Sequence, residues 1–332
     1  MTTISRILAA AAAVFAAAPA LAQSPRDIKF TLDFIALGRH APWYVAVAKG
    51  YFKDEGLNVE VMPSKGTADA IKAVESGIAQ LGFIDVPSLV AAGSAVNLRV
   101  VAVNYQKAPY CVFSLNPGAN VTKPADMTNL EFGSSSASFV PRIHMAFMKM
   151  HGLDPTTLRV VNIDGAARVP MLASRKVQAI DLFVMSEPGL KRAVKDAEVK
   201  CMLLADHGLD IYSNSIGART DFIDKNPEVV RAFVRGALRG WKDAMANPEE
   251  AAKLQVQFVK ALDPQIIVEE LAIVRRLAVV PDTEKNGYGW MTREKMQRSV
   301  DFMAANIEIQ GKRPTVDDVM REGFLPKEPV RP

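Results

Sequence analysis

The chain has 332 residues, 40 of them basic and 36 acidic, for a formal net charge of +4, and 49% are hydrophobic. That length accommodates two ordinary domains, each with its own core. The charge is too small and too scattered along the chain for a nucleic-acid binder.

The first 22 residues differ from the rest. Residues 1–6 carry one side-chain charge, Arg6; residues 7–18 are an apolar run; and Ala20-Leu21-Ala22 is an A-x-A site ahead of Gln23. The pattern is that of a secretory signal peptide, too short to span a bilayer, with cleavage expected after Ala22. No cysteine follows the site, so no lipid anchor is expected, and the mature protein should be free and soluble outside the cytoplasm. Loss of Arg6 leaves 39 basic and 36 acidic residues, a net charge of +3. Cys111 and Cys201 both lie in apolar, strand-like runs. An oxidising compartment permits a disulfide between them, but the runs favour two buried free thiols.

Residues 28–32 alternate apolar and polar as a strand does, and residues 33–41 break the pattern. Pro42 suits the first turn of a helix that runs to Ala48 and ends at Gly50. Gly56 allows a turn, and residues 58–62 form a second strand. A strand, helix and parallel strand put the 33–41 loop at the carboxyl edge of a sheet, where open α/β sheets bind ligands. Lys65-Gly66-Thr67 then leads into a helix over 68–76, residues 81–84 are a strand, Asp85 opens another helix, and residues 98–103 are a strand. The first domain is therefore a doubly wound sheet.

Residues 104–109 are polar and end in proline, which marks a crossing into a second domain. The α/β pattern restarts, with strands over 110–115, 130–133, 159–163, 179–184 and 199–204. After an extended segment at 212–218, Asn226-Pro227, Asn247-Pro248 and Asp263-Pro264 open helices, and residues 292–306 look helical too. This helical section belongs on the first lobe, so the chain crosses twice. The expected organisation is residues 1–22 as leader, 23–108 with 213–332 as lobe 1, and 109–212 as lobe 2. Two crossings make a hinge over a cleft lined by carboxyl-edge loops.

No catalytic or metal constellation stands out. The four histidines lack metal-site spacing, and there is no G-x-S-x-G, P-loop or G-x-G-x-x-G motif. The polar loops at strand ends are more informative. Ser134, Ser135 and Ser136 precede a helix, where hydroxyls and free N–H groups can hold an anion or carbonyl, although Ser138 could simply cap that helix. Lys65, Gly66 and Thr67 offer a similar helix start. Phe34, His40 and Trp43 cluster in the first loop and its helix, and aromatic rings there could stack on a flat ligand. Tyr44 fits a core position. Arg39 is either a solvated charge or a bidentate partner for a carboxylate or sulfonate. Asp85, Asp164 and Asp181 fall at or near strand ends; Asp181 lies inside an apolar run, where a carboxylate must be paired or face the cleft.

Several segments match a known family. Tyr44-Val45-Ala46, Lys49-Gly50-Tyr51-Phe52, Glu55-Gly56-Leu57-Asn58-Val59, Val74-Glu75-Ser76-Gly77, Gln80-Leu81-Gly82-Phe83, Lys123-Pro124-Ala125-Asp126-Met127 and Asn226-Pro227-Glu228-Val229-Val230 are in order along the chain. Together they resemble periplasmic substrate-binding proteins of ABC importers in the nitrate, sulfonate, taurine and thiamine-pyrimidine-precursor group. The resemblance implies two α/β lobes with a two-strand hinge (the type II periplasmic binding protein fold), no cofactor, and a monomer that delivers a small solute to a membrane permease. His40 followed by Tyr44-Val45-Ala46 is similar to the branch that binds or makes the thiamine pyrimidine, which implies a flat heteroaromatic ligand held by Phe34 and Trp43. That branch usually carries tryptophan and asparagine between Asp33 and His40. Here the run is Phe34-Ile35-Ala36-Leu37-Gly38-Arg39, which leaves room for an anion on Arg39. The alternatives are a ligand-sensing module for a membrane sensor and a pyrimidine-forming enzyme that would need His40 and iron.

Overall fold

The computed structural model describes residues 25–135 and 138–332. The leader expected at 1–22 and the candidate Ser136 lie outside the described residues. Among these residues ten strands form two five-stranded sheets. The first contains β1 (Arg26–Thr31), β2 (Leu57–Met62), β3 (Leu81–Asp85) and β4 (Leu98–Val103), joined by β10 (Asn214–Arg219), in the order β2-β1-β3-β10-β4. The second contains β5 (Tyr110–Asn116), β6 (Glu131–Ser134), β7 (Arg159–Asn162), β8 (Ala179–Phe183) and β9 (Glu198–Leu203), in the order β7-β6-β8-β5-β9.

The two orders are the same pattern. In each sheet four strands run one way, as a doubly wound sheet requires, and one runs against them: β10 is antiparallel to β3 and β4, and β5 is antiparallel to β8 and β9. The reversed strand is in both cases the first after the chain passes from one sheet to the other. It enters from the cleft side, so its amino end lies beside the carboxyl ends of its neighbours.

Burial explains the composition of the elements. The helix Ala41–Ala48 is almost wholly apolar because it is covered by the sheet on one side and by the helices Pro227–Ala246 and Pro248–Phe258 on the other. Gly240 permits the closest of these approaches: a Cβ there would stand 2.4 Å from the Pro42 carbonyl oxygen. Trp43 fills the space between Phe30, Phe83 and Trp241, with ring centroids 4.5, 5.1 and 5.6 Å away.

The C-terminal helices do more than cover the first sheet. Pro264–Ala278 touches both lobes: Glu270 accepts the Arg39 N–H at 2.8 Å, while Glu269 takes both terminal nitrogens of Arg192 at 2.8 and 2.9 Å. Its Leu277 carbonyl accepts the N–H groups of Gln106 and Lys107 in the first crossing, and Ser299 of helix Arg293–Asn306 accepts the Tyr212 N–H in the second. The expectation of free thiols does not hold. Cys111 and Cys201 sit diagonally on paired strands β5 and β9, Cα atoms 5.7 Å apart, and are bonded to each other. Periodicity reveals that each is in a strand but not that the strands are neighbours.

Candidate functional site

A cavity of about 100 Å³ opens between the lobes. Every element that lines it arrives by topology. Asp33 to Arg39 follow β1, Lys65 to Ala68 follow β2, and Asp85 ends β3; from the other lobe, Ser135, Ser138, Phe139 and Val140 follow β6, Arg168 follows β7, and Asp181 to Phe183 end β8. Tyr110 joins them because β5 is reversed and begins where its neighbours end. This is the carboxyl-edge crevice of an open α/β sheet, formed twice and face to face.

On the first lobe, the turn Gly38–His40 folds Arg39 back over Asp33. The guanidinium contacts both carboxylate oxygens at 3.0 Å, and Asn214 Nδ2 donates to Oδ2 at 3.0 Å. The Leu37 N–H donates to His40 Nδ1 at 3.0 Å, so the ring proton is on Nε2, which donates to Asp33 Oδ1 at 2.8 Å. Burial opposes the charge on Asp33, but Arg39 and His40 outweigh it and hold the carboxyl well below the usual range. Burial and the adjacent Arg39 charge lower His40 to about 4, so the imidazole is neutral. Across the cleft, the Arg39 guanidinium lies 5.1 Å from the Phe183 ring centroid.

Asp85 has different partners. Its carboxylate accepts from Tyr110 Oη at 2.5 Å, Ser213 Oγ at 2.9 Å, Ser88 Oγ at 2.8 Å and the Ser88 N–H at 3.1 Å. No cation pairs with it among the described residues. Burial pushes this carboxyl up, and the hydrogen bonds pull it part of the way back. Burial and then Asp85 raise the Tyr110 phenol well above 10, so it stays a donor.

On the second lobe, Asp181 is wholly buried and accepts from Ser134 Oγ at 2.7 Å, Ser138 Oγ at 2.8 Å and Arg168 Nη1 at 2.8 Å. Arg168 also donates to the Asp181 carbonyl at 2.7 Å. Gly165 brings the lobes together at one edge: a Cβ there would lie 3.7 Å from Phe34 Cζ and 3.5 Å from Arg168 Nη2.

Phe34, Arg39, Lys65, Gly66, Thr67, Asp85, Ser135 and Asp181 line the cavity. Trp43 does not: it is core, because its place in the helix turns it onto the sheet. His40 lies behind Asp33 and positions it. Ser134 is buried beneath Asp181, and Asp164 is exposed, its carboxylate bonded to the Ala166 N–H at 2.9 Å. Arg39 is not a solvated charge, and its bidentate partner is Asp33. Ser138 lines the cavity and binds Asp181, which is more than the plain cap expected of it. Sequence reasoning missed Ser88, Tyr110, Phe139, Arg168 and Phe183. One signal was available for Arg168: the carboxylate of Asp181 in an apolar run demands a cation, and Arg168 opens the helix just before that strand.

The NMT1/THI5-like family matches residues 38–251. The chain belongs to this family. Its relatives include the riboflavin-binding protein RibY of Chloroflexus aurantiacus, 28% identical over 89% of this chain and 88% of that protein. They also include the formylaminopyrimidine-binding protein of Halalkalibacterium halodurans, 24% identical over 68% of each. Other NMT1/THI5-like relatives are enzymes by name, such as the 4-amino-5-hydroxymethyl-2-methylpyrimidine phosphate synthase of Candida albicans, 25% identical over 69% of this chain and 70% of that one. Among solved structures, the alkanesulfonate-binding protein SsuA of Xanthomonas axonopodis pv. citri superposes with a TM-score of 0.70, covering 91% of this chain and 100% of that one at 14% identity. The fold is thus that of the periplasmic binding proteins.

Proposed function

We propose that this chain is the extracytoplasmic solute-binding component of an ABC import system, and that it encloses a flat, uncharged heteroaromatic solute between its lobes. Residues 23–108 with 213–332 form one jaw and residues 109–212 the other, and the closed, monomeric form is what a membrane permease receives. The observation that carries the ligand class is the state of the cleft charges. Arg39 and Arg168 are each paired with a carboxylate of their own lobe, while Phe34 from one lobe and Phe139 and Phe183 from the other supply aromatic surface. An anion approaching Arg39 or Arg168 would share the guanidinium with a carboxylate already paired to it, Asp33 or Asp181, so little net attraction is left for it there. A ring asks only for apolar area and an edge-on or stacked aromatic face.

Binding rather than catalysis is the role the geometry favours. Both ring nitrogens of His40 are engaged, one by Leu37 and one by Asp33, which leaves neither for a metal or a substrate. Closure must favour the bound form, because only differential affinity shifts the two populations.

The test is the thermal stability of residues 23–332 against riboflavin, aminopyrimidines, taurine, alkyl sulfonates, nitrate and aromatic carboxylates. A ligand at a hundred times its dissociation constant adds about 2.7 kcal/mol. A shift with a heteroaromatic compound is expected. A shift with sulfonate or nitrate alone would replace the ligand class, and unchanged uptake in a strain lacking the chain would replace import with sensing.

A further inference from the structure

Three hydroxyl groups at the cavity have lost their freedom to choose a partner. Tyr110 Oη and Ser88 Oγ each lie within hydrogen-bond distance of Asp85, at 2.5 and 2.8 Å, and Ser138 Oγ lies 2.8 Å from Asp181. A carboxylate only accepts, so in each pair the single hydroxyl hydrogen points at the carboxylate. What remains for the cavity is oxygen lone pairs, one of those on Ser138 being already engaged by the Val140 N–H at 3.3 Å. Among the described residues that line the second lobe, Arg168 is a buried donor: its Nη1 serves Asp181 and its Nη2 has no hydrogen-bond partner among them.

We propose that Asp85 and Asp181 set the ligand's hydrogen-bonding polarity: they turn Tyr110, Ser88 and Ser138 into acceptors, so that the cleft selects a heterocycle carrying N–H donors on its edge, with one ring acceptor for Arg168. The inference rests on the heteroaromatic reading above and narrows it to aminopyrimidine-like and imide-like rings. It also gives the carboxylates a role other than charge recognition, since neither has to touch the ligand. An anion is disfavoured twice, by the paired guanidinium groups and by the lone pairs that face it. A ring whose amino group is fully alkylated meets the same lone pairs with nothing to donate, and leaving buried acceptors unpaired is the costly case.

Two matched pairs of probes test this by calorimetric titration: 4-amino-5-hydroxymethyl-2-methylpyrimidine against its 4-dimethylamino counterpart, and riboflavin against 3-methylriboflavin. For the pair that binds, the expected result is that the wild type prefers the N–H form by about tenfold. Ser138→Ala and Tyr110→Phe should each lower affinity for the N–H form by about tenfold and for the methylated form by less than about twofold. Ser138→Thr should restore the preference. Melting of the unliganded variants checks that they fold, and Ser138→Ala carries the test if Tyr110→Phe does not. Equal losses for both members of a pair, or no preference in the wild type, would overturn the polarity proposal and leave the heteroaromatic reading standing. Binding of taurine or nitrate with none of the four rings bound would overturn both.

Discussion

The two lobes solve one problem in different ways. Each has a carboxylate on the third strand of the shared order, Asp85 on β3 and Asp181 on β8, and each carboxylate is buried at the cleft. Asp181 is satisfied entirely from within its lobe, by Ser134, Ser138 and Arg168. Asp85 draws on Ser88 from its own lobe, on Tyr110 at the start of the other sheet, and on Ser213 in the return crossing. Asp181 is therefore a local ion pair that fixes one wall of the site. Asp85 is a joint between the lobes, made by hydroxyl groups that belong to segments next to both crossings.

Removing the charge from each should separate these roles. Asp181→Ala leaves Arg168 buried without its counter-ion and Ser134 without an acceptor, so it should cost about 3–5 kcal/mol in denaturant unfolding. Asp85→Asn keeps the shape but replaces one acceptor oxygen with a donor, so two of the four hydrogen bonds are lost. It should cost about 1–3 kcal/mol and should alter the distribution of open and closed forms in small-angle scattering, which Asp181→Ala in its folded fraction should not. If Asp85→Asn leaves the scattering unchanged, Asp85 is not a joint.

A third carboxylate extends the comparison to the helix that spans both lobes. Glu270 accepts the Arg39 N–H and is raised by burial from 4.5 to about 7. Between those values the folded chain binds a proton on Glu270 that the unfolded chain has released, so stability falls as pH rises through this window and levels off above it. The sum is about 3 kcal/mol. His40 has the opposite sign. Its folded value is lowered from 6.5 to about 4, so between these the unfolded chain holds the extra proton and stability rises with pH. The two nearly cancel over the range they share. Glu270→Gln should unmask His40, giving stability that climbs by about 3 kcal/mol between about pH 4 and 6.5, read by chemical denaturation at a series of pH values. A variant whose profile stays flat would mean that Glu270 ionises normally in the folded state.

The backbone of this protein is written in its local pattern, and the site only in part. The alternation at 28–32, the proline after His40 and the Asn-Pro and Asp-Pro starts of the C-terminal helices each act within a few residues, which is the range over which a sequence can be read directly. Asp181 stands out for the same reason, since its apolar neighbours are adjacent. Most of the failures come from contacts that close over long separations. Whether Trp43 faces a ligand or Trp241 depends on a helix nearly two hundred residues later. The pairing of Cys111 with Cys201 depends on two strands becoming neighbours. The reversal of β5, which puts Tyr110 at the cleft, is a property of the crossing and not of the strand. Arg39 reads as a charge in search of an anion because its partner, Asp33, looks like loop.

The smallest effect on stability should come from the edge where the jaws meet. Gly165 has ordinary backbone angles, so a side chain costs the fold little; a Cβ would find Phe34 at 3.7 Å, which is normal contact. Gly165→Ala should therefore be nearly silent. Gly165→Leu adds three more carbons in the direction of Phe34, a ring on the opposite lobe, and the strain can be relieved by parting the lobes. Unfolding stability should change by less than about 1 kcal/mol, as for a half-exposed surface site. Ligand affinity should fall by about tenfold or more, because the apparent constant scales with the fraction of molecules able to close. The pair of variants distinguishes a gate from a packing defect. A gate gives a loss that grows with side-chain length at constant stability, and adding Phe34→Ala to the Gly165→Leu variant should recover closure by making room. If Gly165→Leu binds as tightly as the wild type, the contact between Gly165 and Phe34 is incidental to closure, and the jaws meet elsewhere.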